Sequence, residues 1–254
     1  MNIIVPIKQV PDLVEELEIN ASGTDLDREY LKMKTNEFDD HALEEALLLK
    51  EAHGGSVTAI ALDTGGDIDK TLFAAAAKGA DKVVKITGDF EGGVSSHAAA
   101  AAFANALKGM SYDLVLTGVQ AVDDRDGQLG GLLARYLGLP CVSVVTGVEA
   151  GGGGSILVHK EYGGGVVAEF EVSLPAVLGV QAARETPRYV PVAKVRQAMR
   201  DTSIEETPAG GTGASAGSSV KRIFKPVSGK GAQMFSGSAT DVAAQIAAII
   251  KGKA

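Results

Sequence analysis

Leu114-Val115-Leu116, then Gln120-Ala121-Val122-Asp123-Asp124-Arg125-Asp126-Gly127-Gln128-Leu129-Gly130, reads as an apolar strand, a polar turn containing glycine and the opening of a helix. In α/β proteins this succession presents backbone N–H groups to a phosphate. The turn poses an electrostatic problem, because Asp123, Asp124 and Asp126 repel a phosphate brought near their carboxylates and only Arg125 offsets them within the turn. A division of labour resolves it. The N–H groups around Gly127, Gln128 and Leu129 face the phosphate, while the carboxylates cap the helix or accept from ribose hydroxyls. Gly127, Gly130 and Gly131 are poor helix formers, so their closeness suits the near approach of another backbone or a ligand. The same residues also suit a capped helix whose glycines serve packing alone.

Around this stretch, short β-branched runs alternate with segments of helical period: Ile3 to Ile7, Asp40 to His53, Ser56 to Leu62, Asp67 to Lys78, Lys82 to Ile86, Ser96 to Leu107, Leu114 to Thr117 and Gly127 to Leu137. The alternation predicts a mostly parallel sheet with helices on both faces. Ligands in such sheets bind at the carboxyl ends of strands, in the loops that lead into helices. Pro6 to Lys8, Asn36-Glu37-Phe38 and Asp63-Thr64-Gly65-Gly66 would surround one crevice there, with Gly92-Gly93-Val94-Ser95-Ser96 as a further contact or a plain helix start. In the helix from Asp40, Leu43, Ala46 and Leu47 form a buried stripe and the preceding acids favour its positive end.

Past Cys141 the pattern changes. Ile156 to Tyr162 and Val166 to Val172 alternate around three glycines as a β-hairpin, and Leu174 to Val180 reads as another buried strand. From Val192 to Arg200, apolar residues fall at three- and four-residue spacing among basic ones. Residues 201–219 are expected to be a flexible linker, since Glu206 to Ser219 is nearly all Gly, Ala, Ser, Thr and Pro. An extended piece at Val220 to Pro226 and a helix from Ser238 to Ile250 would form a C-terminal arm over 220–254. The helix carries an apolar stripe that needs a surface, either its own domain or a partner.

A chain of 254 residues, 45% hydrophobic but only 5% aromatic, can bury one substantial core of Ala, Val and Leu. A net charge of −8 disfavours nucleic acid as a partner. Met1 to Val5 runs into a strand without signal-peptide features, and no stretch approaches the roughly 20 apolar residues of a membrane span, so a cytoplasmic location is expected. The single cysteine, Cys141, excludes an intrachain disulfide and a cysteine-based metal cluster, and its apolar neighbours predict a buried small hydrophobe. No catalytic or metal-binding set assembles: His41, His53, His97 and His159 are scattered, and the Gly-x-Gly-x-x-Gly fingerprint is replaced by Ile7-Lys8-Gln9-Val10-Pro11-Asp12. Ordinary NAD binding is therefore disfavoured.

Several segments together resemble one family: Ile7-Lys8-Gln9-Val10-Pro11-Asp12, Asn36-Glu37-Phe38 before Ala42-Leu43-Glu44-Glu45-Ala46, Lys78-Gly79-Ala80-Asp81, Gln120-Ala121-Val122-Asp123-Asp124, and Leu174-Pro175-Ala176-Val177 followed by Pro187-Arg188-Tyr189. The chain resembles the β subunit of electron transfer flavoproteins over roughly residues 1 to 200. The resemblance implies a Rossmann-like, adenine nucleotide hydrolase-like α/β domain over 1–200 with a partner-recognition loop near 187–200. It implies a heterodimer whose α subunit carries most of the redox FAD site, and electron shuttling from acyl-CoA or other flavin dehydrogenases to an acceptor such as a membrane-bound quinone reductase. The nucleotide of the β subunit is AMP in most members and a second FAD in the electron-bifurcating branch, where it oxidises NADH.

Carried over residue by residue, the resemblance puts nucleotide contacts at Pro6, Asn36, Asp63, Val122, Asp123, Asp126, Gly127, Gln128 and Leu129. AMP-type members show Asn-Gln-Thr where this chain has Gly127-Gln128-Leu129, and bifurcating members show a glycine at Asp124 and a threonine at Ala99, with Ser96 matching another. AMP is the favoured reading and FAD its alternative. The resemblance also assigns Val192, Val195 and Arg196 to dehydrogenase docking, with Val192 where the family has a leucine anchor; a core-packing turn with solvated basic residues suits the same stretch. Leu13 stands where many members place an aromatic residue near the α-subunit flavin, and the arm wraps the α subunit in the family. An adenine-nucleotide-binding regulatory domain or hydrolase of the same fold is the remaining alternative, one that gives the arm no purpose.

Overall fold

The computed structural model describes all residues except Tyr30, Gly66, Glu91, Gly92, Arg125, 212–219, Ser228, Lys230 and Ala254. The chain divides into two compact units, one of residues 1–18 and 26–219, the other of residues 19–25 and 220–254.

In the first unit the order is β1 (Asn2–Pro6), β2 (Gln9–Pro11), β3 (Met33–Thr35), α1 (Glu37–His53), β4 (Ser56–Leu62), α2 (Ile68–Lys78), β5 (Lys82–Thr87), α3 (Ser96–Leu107) and β6 (Leu114–Gly118). It continues with α4 (Leu129–Leu137), β7 (Cys141–Val145), β8 (Gly147–Ala150), β9 (Ser155–Tyr162), β10 (Val166–Ser173), β11 (Ala176–Val180), α5 (Val192–Asp201) and β12 (Glu205–Pro208). Seven strands pair in parallel in the order β12-β5-β4-β1-β6-β11-β7, which makes the fold the expected Rossmann-like α/β class. Alternate residues of each strand serve opposite faces. Ile3, Val5, Leu114, Leu116, Ala176 and Leu178 pack with α1 and α2, while Ile4, Ile60, Val115 and Val177 pack with α3 and α4. The antiparallel sheet β10-β9-β8 joins the first of these layers through Val148, Ile156, Val158 and Val172. Among the described residues no helix is long and apolar enough to cross a membrane.

The order of strands reverses between β1 and β6, since β4 lies outside β1 on one side and β11 outside β6 on the other. That switch point opens a crevice at the carboxyl ends of β1 and β6. Asp39, in the first turn of α1 and only 5% exposed, ties its rim together: Oδ2 accepts the N–H of Lys8 at 3.0 Å and Oδ1 accepts the N–H of Gly118 at 3.2 Å. A Cβ at 118 would stand 2.3 Å from Asp39 Oδ1, so the close approach requires glycine.

Further along α1, two buried glutamates hold the segment that leads to α5. Glu45 accepts from Val148 N–H (3.1 Å), Arg184 N–H (2.9 Å) and Arg184 Nε (2.8 Å). Glu44 receives the Arg188 guanidinium in a bidentate pair at 2.8 to 3.0 Å, and Arg188 Nη1 also reaches Glu51 at 2.6 Å. His41 Nδ1 accepts the N–H of Ala183 at 3.2 Å.

Several expectations need correction. Cys141 is exposed, because it opens β7 at the edge of the sheet rather than lying inside it. Four residues within the expected linker, Glu205–Pro208, form β12 and pair with β5; Glu206 meets Lys85 at 3.0 Å and Ala209 is buried beside them. Backbone pairing at an open edge does not require bulky side chains, so composition concealed it. Gly66, Gly92, Arg125 and Thr212 to Ser219 lie outside the described residues. In the second unit α6 (Ala239–Lys253) forms, Ser238 and Asp241 cap each other's backbone N–H groups, and no strand forms at the described residues of 220–226. There Ile223 N–H donates to Gly23 O at 2.8 Å.

Burial raises the Asp39 carboxyl to about 7, against the hydrogen bonds from Asn36, Lys8 and Gly118 that lower it. The unfolded value is about 3.9, so between the two the folded chain binds more protons and stability falls as pH rises. Urea unfolding should therefore show this group's contribution declining by up to about 1.4 kcal/mol per pH unit from about pH 4 to 7 and levelling above, with Asp39→Asn flattening that portion. Arg188→Ala strands Glu44 in its buried position and should cost about 3 kcal/mol, of which Arg188→Lys, lacking the fork, recovers only part. Urea midpoints measure both.

Candidate functional site

Most of the residues named from the sequence lie on the segments that follow the carboxyl ends of β1, β4 and β6 and in the first turn of α1 around this switch point. Pro6 ends β1, and Asp63 follows β4 with its N–H bonded to Ile86 O at 2.9 Å. Asn36 stands at the N-cap of α1, yet its side chain does not cap the helix. Its Nδ2 donates instead to Gln120 O at 2.9 Å, across the crevice rim. The Asn36 side chain is 1% exposed, and Oδ1 has no hydrogen-bond partner among the described residues. A buried amide oxygen without a donor is costly, and here it marks a place where a ligand N–H or O–H would be accepted.

The loop between β6 and α4 carries the charge. Lys8 Nζ lies 2.8 Å from Asp123 Oδ1 and 3.6 Å from Asp124 Oδ2. Burial, together with Asp123 and Asp126, pushes the Asp124 carboxyl up, while Lys8 pulls it down. Asp126 Oδ1 accepts from Ser96 Oγ at 3.3 Å and from Gln128 N–H at 3.4 Å, a turn ahead of α4; Gln128 is the N-cap and no side chain caps the helix, so the carboxylate cap expected from the sequence does not form. Gly127 has φ +64°, and a Cβ there would stand 2.9 Å from Val119 O, which explains why the turn needs glycine and why α4 starts at Leu129 rather than Gly127. Leu129, Gly130 and Gly131 follow in the first turn, ahead of the intrahelical bond from Leu132 N–H to Gln128 O. Their N–H groups are the donors a helix start offers to an anion. Val122 is 38% exposed on the loop.

The docking residues sit elsewhere, on α5, which packs against α2. Val192 is 63% exposed, Arg196 follows it one turn on and Met199 is exposed one turn further, forming one outward stripe. Val195 does not belong to it. It is half-buried and lines a groove of about 350 Å³ with Thr35, Asp40, Ala74, Lys78 and Tyr189.

The sequence reading missed Asp39, Glu44 and Glu45 as positioning residues, and missed that Lys8 pairs with the acidic loop. A signal existed. Asp39 precedes Leu43 by one helical turn and so shares its buried stripe, and Glu44 and Glu45 interrupt the same stripe where arginines later in the chain could answer them.

The profile of the electron transfer flavoprotein domain matches residues 24–210. The electron transfer flavoprotein subunit beta of Methylophilus methylotrophus is 32% identical over 260 residues, 98% of this chain and 98% of that protein. The subunit beta proteins of Clostridium acetobutylicum and Syntrophomonas wolfei are 36% and 35% identical, over 77% and 74% of this chain and 74% and 73% of their own lengths. With the family profile matching residues 24–210 and a subunit beta protein 32% identical over nearly the whole chain, this chain belongs to the electron transfer flavoprotein β-subunit family.

Proposed function

We propose that this chain is the β subunit of a heterodimeric electron transfer flavoprotein, seating AMP in the switch-point crevice and supporting an FAD held mainly by an α subunit. It shuttles electrons from flavin dehydrogenases, acyl-CoA dehydrogenases among them, to an acceptor such as a quinone reductase. The observation that carries the nucleotide reading is the unpartnered, buried Asn36 Oδ1 beside Gln120 O, a built-in acceptor at the place where the fold class binds nucleotides. Asn36, Pro6, Asp63 and Val122 would hold the nucleoside. The N–H groups of Gly127, Gln128 and Leu129 would meet the phosphate, with Asp123 and Asp126 available to ribose hydroxyls. Gln128 N–H is already engaged by Asp126, so that part of the seat would open on binding.

The flavin supplies the redox chemistry when bound; the residues of this chain bind, orient and shield. Among the described residues, the buried carboxylates are spent on structure: Asp39 on the crevice rim, Glu44 and Glu45 on the segment before α5. A carrier subunit needs no acid, base or nucleophile of its own. The exposed Val192–Arg196–Met199 stripe supports a docking surface, apolar at its two ends with the basic Arg196 between them. The second unit exposes Phe224, Met234, Ile249 and Ile250, which supports an arm over 220–254 that docks on the α subunit.

Denaturing the co-purified heterodimer and identifying the released nucleotides should give one AMP and one FAD. Two FAD without AMP would make this a bifurcating subunit, and ATP turnover by the chain would overturn the carrier reading. Asn36→Ala should retain AMP at least about tenfold less well, because one buried hydrogen bond is lost. Val192→Asp should lower kcat/KM for the donor dehydrogenase by about tenfold or more with flavin content unchanged, since a buried anchor of this size is worth about 1.5–3 kcal/mol; an unchanged rate would remove α5 from the docking surface.

A further inference from the structure

We propose that the ligand of the switch-point crevice and a proton on Asp39 compete for one buried acceptor, Asn36 Oδ1, so that protonation of Asp39 releases the ligand and binding of the ligand returns the proton to solvent. The inference rests on the nucleotide seat above and concerns how that seat is regulated. Asn36 and Asp39 stand on one turn, at the N-cap and the third residue of α1. The Asn36 amide donates to the Asp39 carboxyl as well as to Gln120 O, the latter at 2.9 Å. Its Oδ1 meets no donor among the described residues. One side chain thus faces the carboxyl and keeps an oxygen open to whichever donor is present.

While Asp39 is ionised both of its oxygens accept, Oδ2 from Lys8 N–H at 3.0 Å and Oδ1 from Gly118 N–H at 3.2 Å. A carboxylate has no proton to give, so Asn36 Oδ1 stays open to a ligand N–H or O–H. A protonated carboxyl carries one O–H, and the groups that meet Asp39 are all donors. A buried O–H needs an acceptor, and on this turn the oxygen without a partner is Asn36 Oδ1. Filling it with the Asp39 proton removes the acceptor the ligand uses and gives up one of the two rim hydrogen bonds. Of the charged groups on the elements packed about Asp39, Lys8 draws the carboxyl down, yet its ammonium is turned to Asp123 and Asp124 at 2.8 and 3.6 Å. On α1 itself Glu37 is exposed, Asp40 is paired with Lys78 of α2, and His41 Nδ1 accepts the Ala183 N–H. The charge of Asp39 is therefore met by amides, and burial sets the exchange near neutrality by raising the carboxyl to about 7.

The test is calorimetric titration of the full chain, co-purified with its α subunit and emptied of nucleotide, in buffers of different ionisation enthalpy that report the protons released. The probe is adenosine, which carries no group that ionises between about pH 5.5 and 8.5, with AMP alongside it. The wild type should bind adenosine about tenfold more weakly at about pH 6 than at about pH 8, and release about one proton per adenosine at the lower value. Asp39→Asn presents a carboxamide N–H to Asn36 Oδ1 at every pH, so it should bind adenosine weakly throughout and release no proton. Equal affinity across the range with no proton released, adenosine still bound, would overturn the switch and leave the seat. A wild-type pH dependence that persists in Asp39→Asn would overturn it too, since the proton would then belong to another group such as His41 or Asp124. The proton count is read on the wild type and does not depend on the variant folding. Failure of the wild type to bind adenosine and AMP at any pH would overturn the seat itself, and the switch with it.

Discussion

The Asp39 carboxylate is the constraint on which the rest of this subunit depends. Buried in the first turn of α1, it accepts one N–H from the segment after β1 and one from the end of β6. The two strands on either side of the topological switch are thereby held at a fixed distance from the helix that caps their crevice. Burial raises the carboxyl, and the hydrogen bonds from Asn36, Lys8 and Gly118 draw it back, so the group is set near neutrality. Gly118 follows from the same contact, since any Cβ there would collide with the carboxylate and with the backbone of Phe38 and Asp39. One helix then organises both candidate surfaces. Its first turn shapes the crevice, and its middle, through Glu44 and Glu45, holds Arg184 and Arg188 and with them the approach to α5.

Much of this was legible in the residues. The period-2 runs and the helical stripes between them specify a parallel sheet covered on both faces, because only that arrangement buries every apolar face. The β9–β10 hairpin around Gly163 to Gly165 and the bounds of α3 from Ser96 to Leu107 follow from turn and capping chemistry. Legibility ends where a polar group turns inward. An acid in a first helical turn reads equally as a partner of the helix dipole or as a buried ligand of distant N–H groups, and only the tertiary packing decides, as it does for Asp39. Strand β12 was concealed for the opposite reason, its ladder being made of backbone. Cys141 was misplaced because an apolar run reveals a strand but not whether that strand is central or at an edge. Val195 shared a helical repeat with Val192, yet one turns toward the groove and the other toward solvent.

The site and the family membership fit one physical picture. The crevice has backbone donors at a helix start, a neutral buried acceptor and carboxylates kept in place by Lys8 and Ser96, which together support the proposed nucleotide seat. A structural nucleotide in that position would tie α1, the β6–α4 loop and the start of α4 to one another, reinforcing the same junction that Asp39 secures. The exposed stripe on α5 belongs to a different element, packed on α2, from those that form the proposed seat.

Backbone amide hydrogen exchange on the heterodimer, with the nucleotide removed and then with AMP restored, tests the central claim most directly. The account predicts that AMP slows exchange at residues 36–39 and 118–131 and leaves α5 and the β8–β10 sheet unchanged. Protection confined to those distant elements, or none at the β6–α4 loop while AMP is bound, would contradict it.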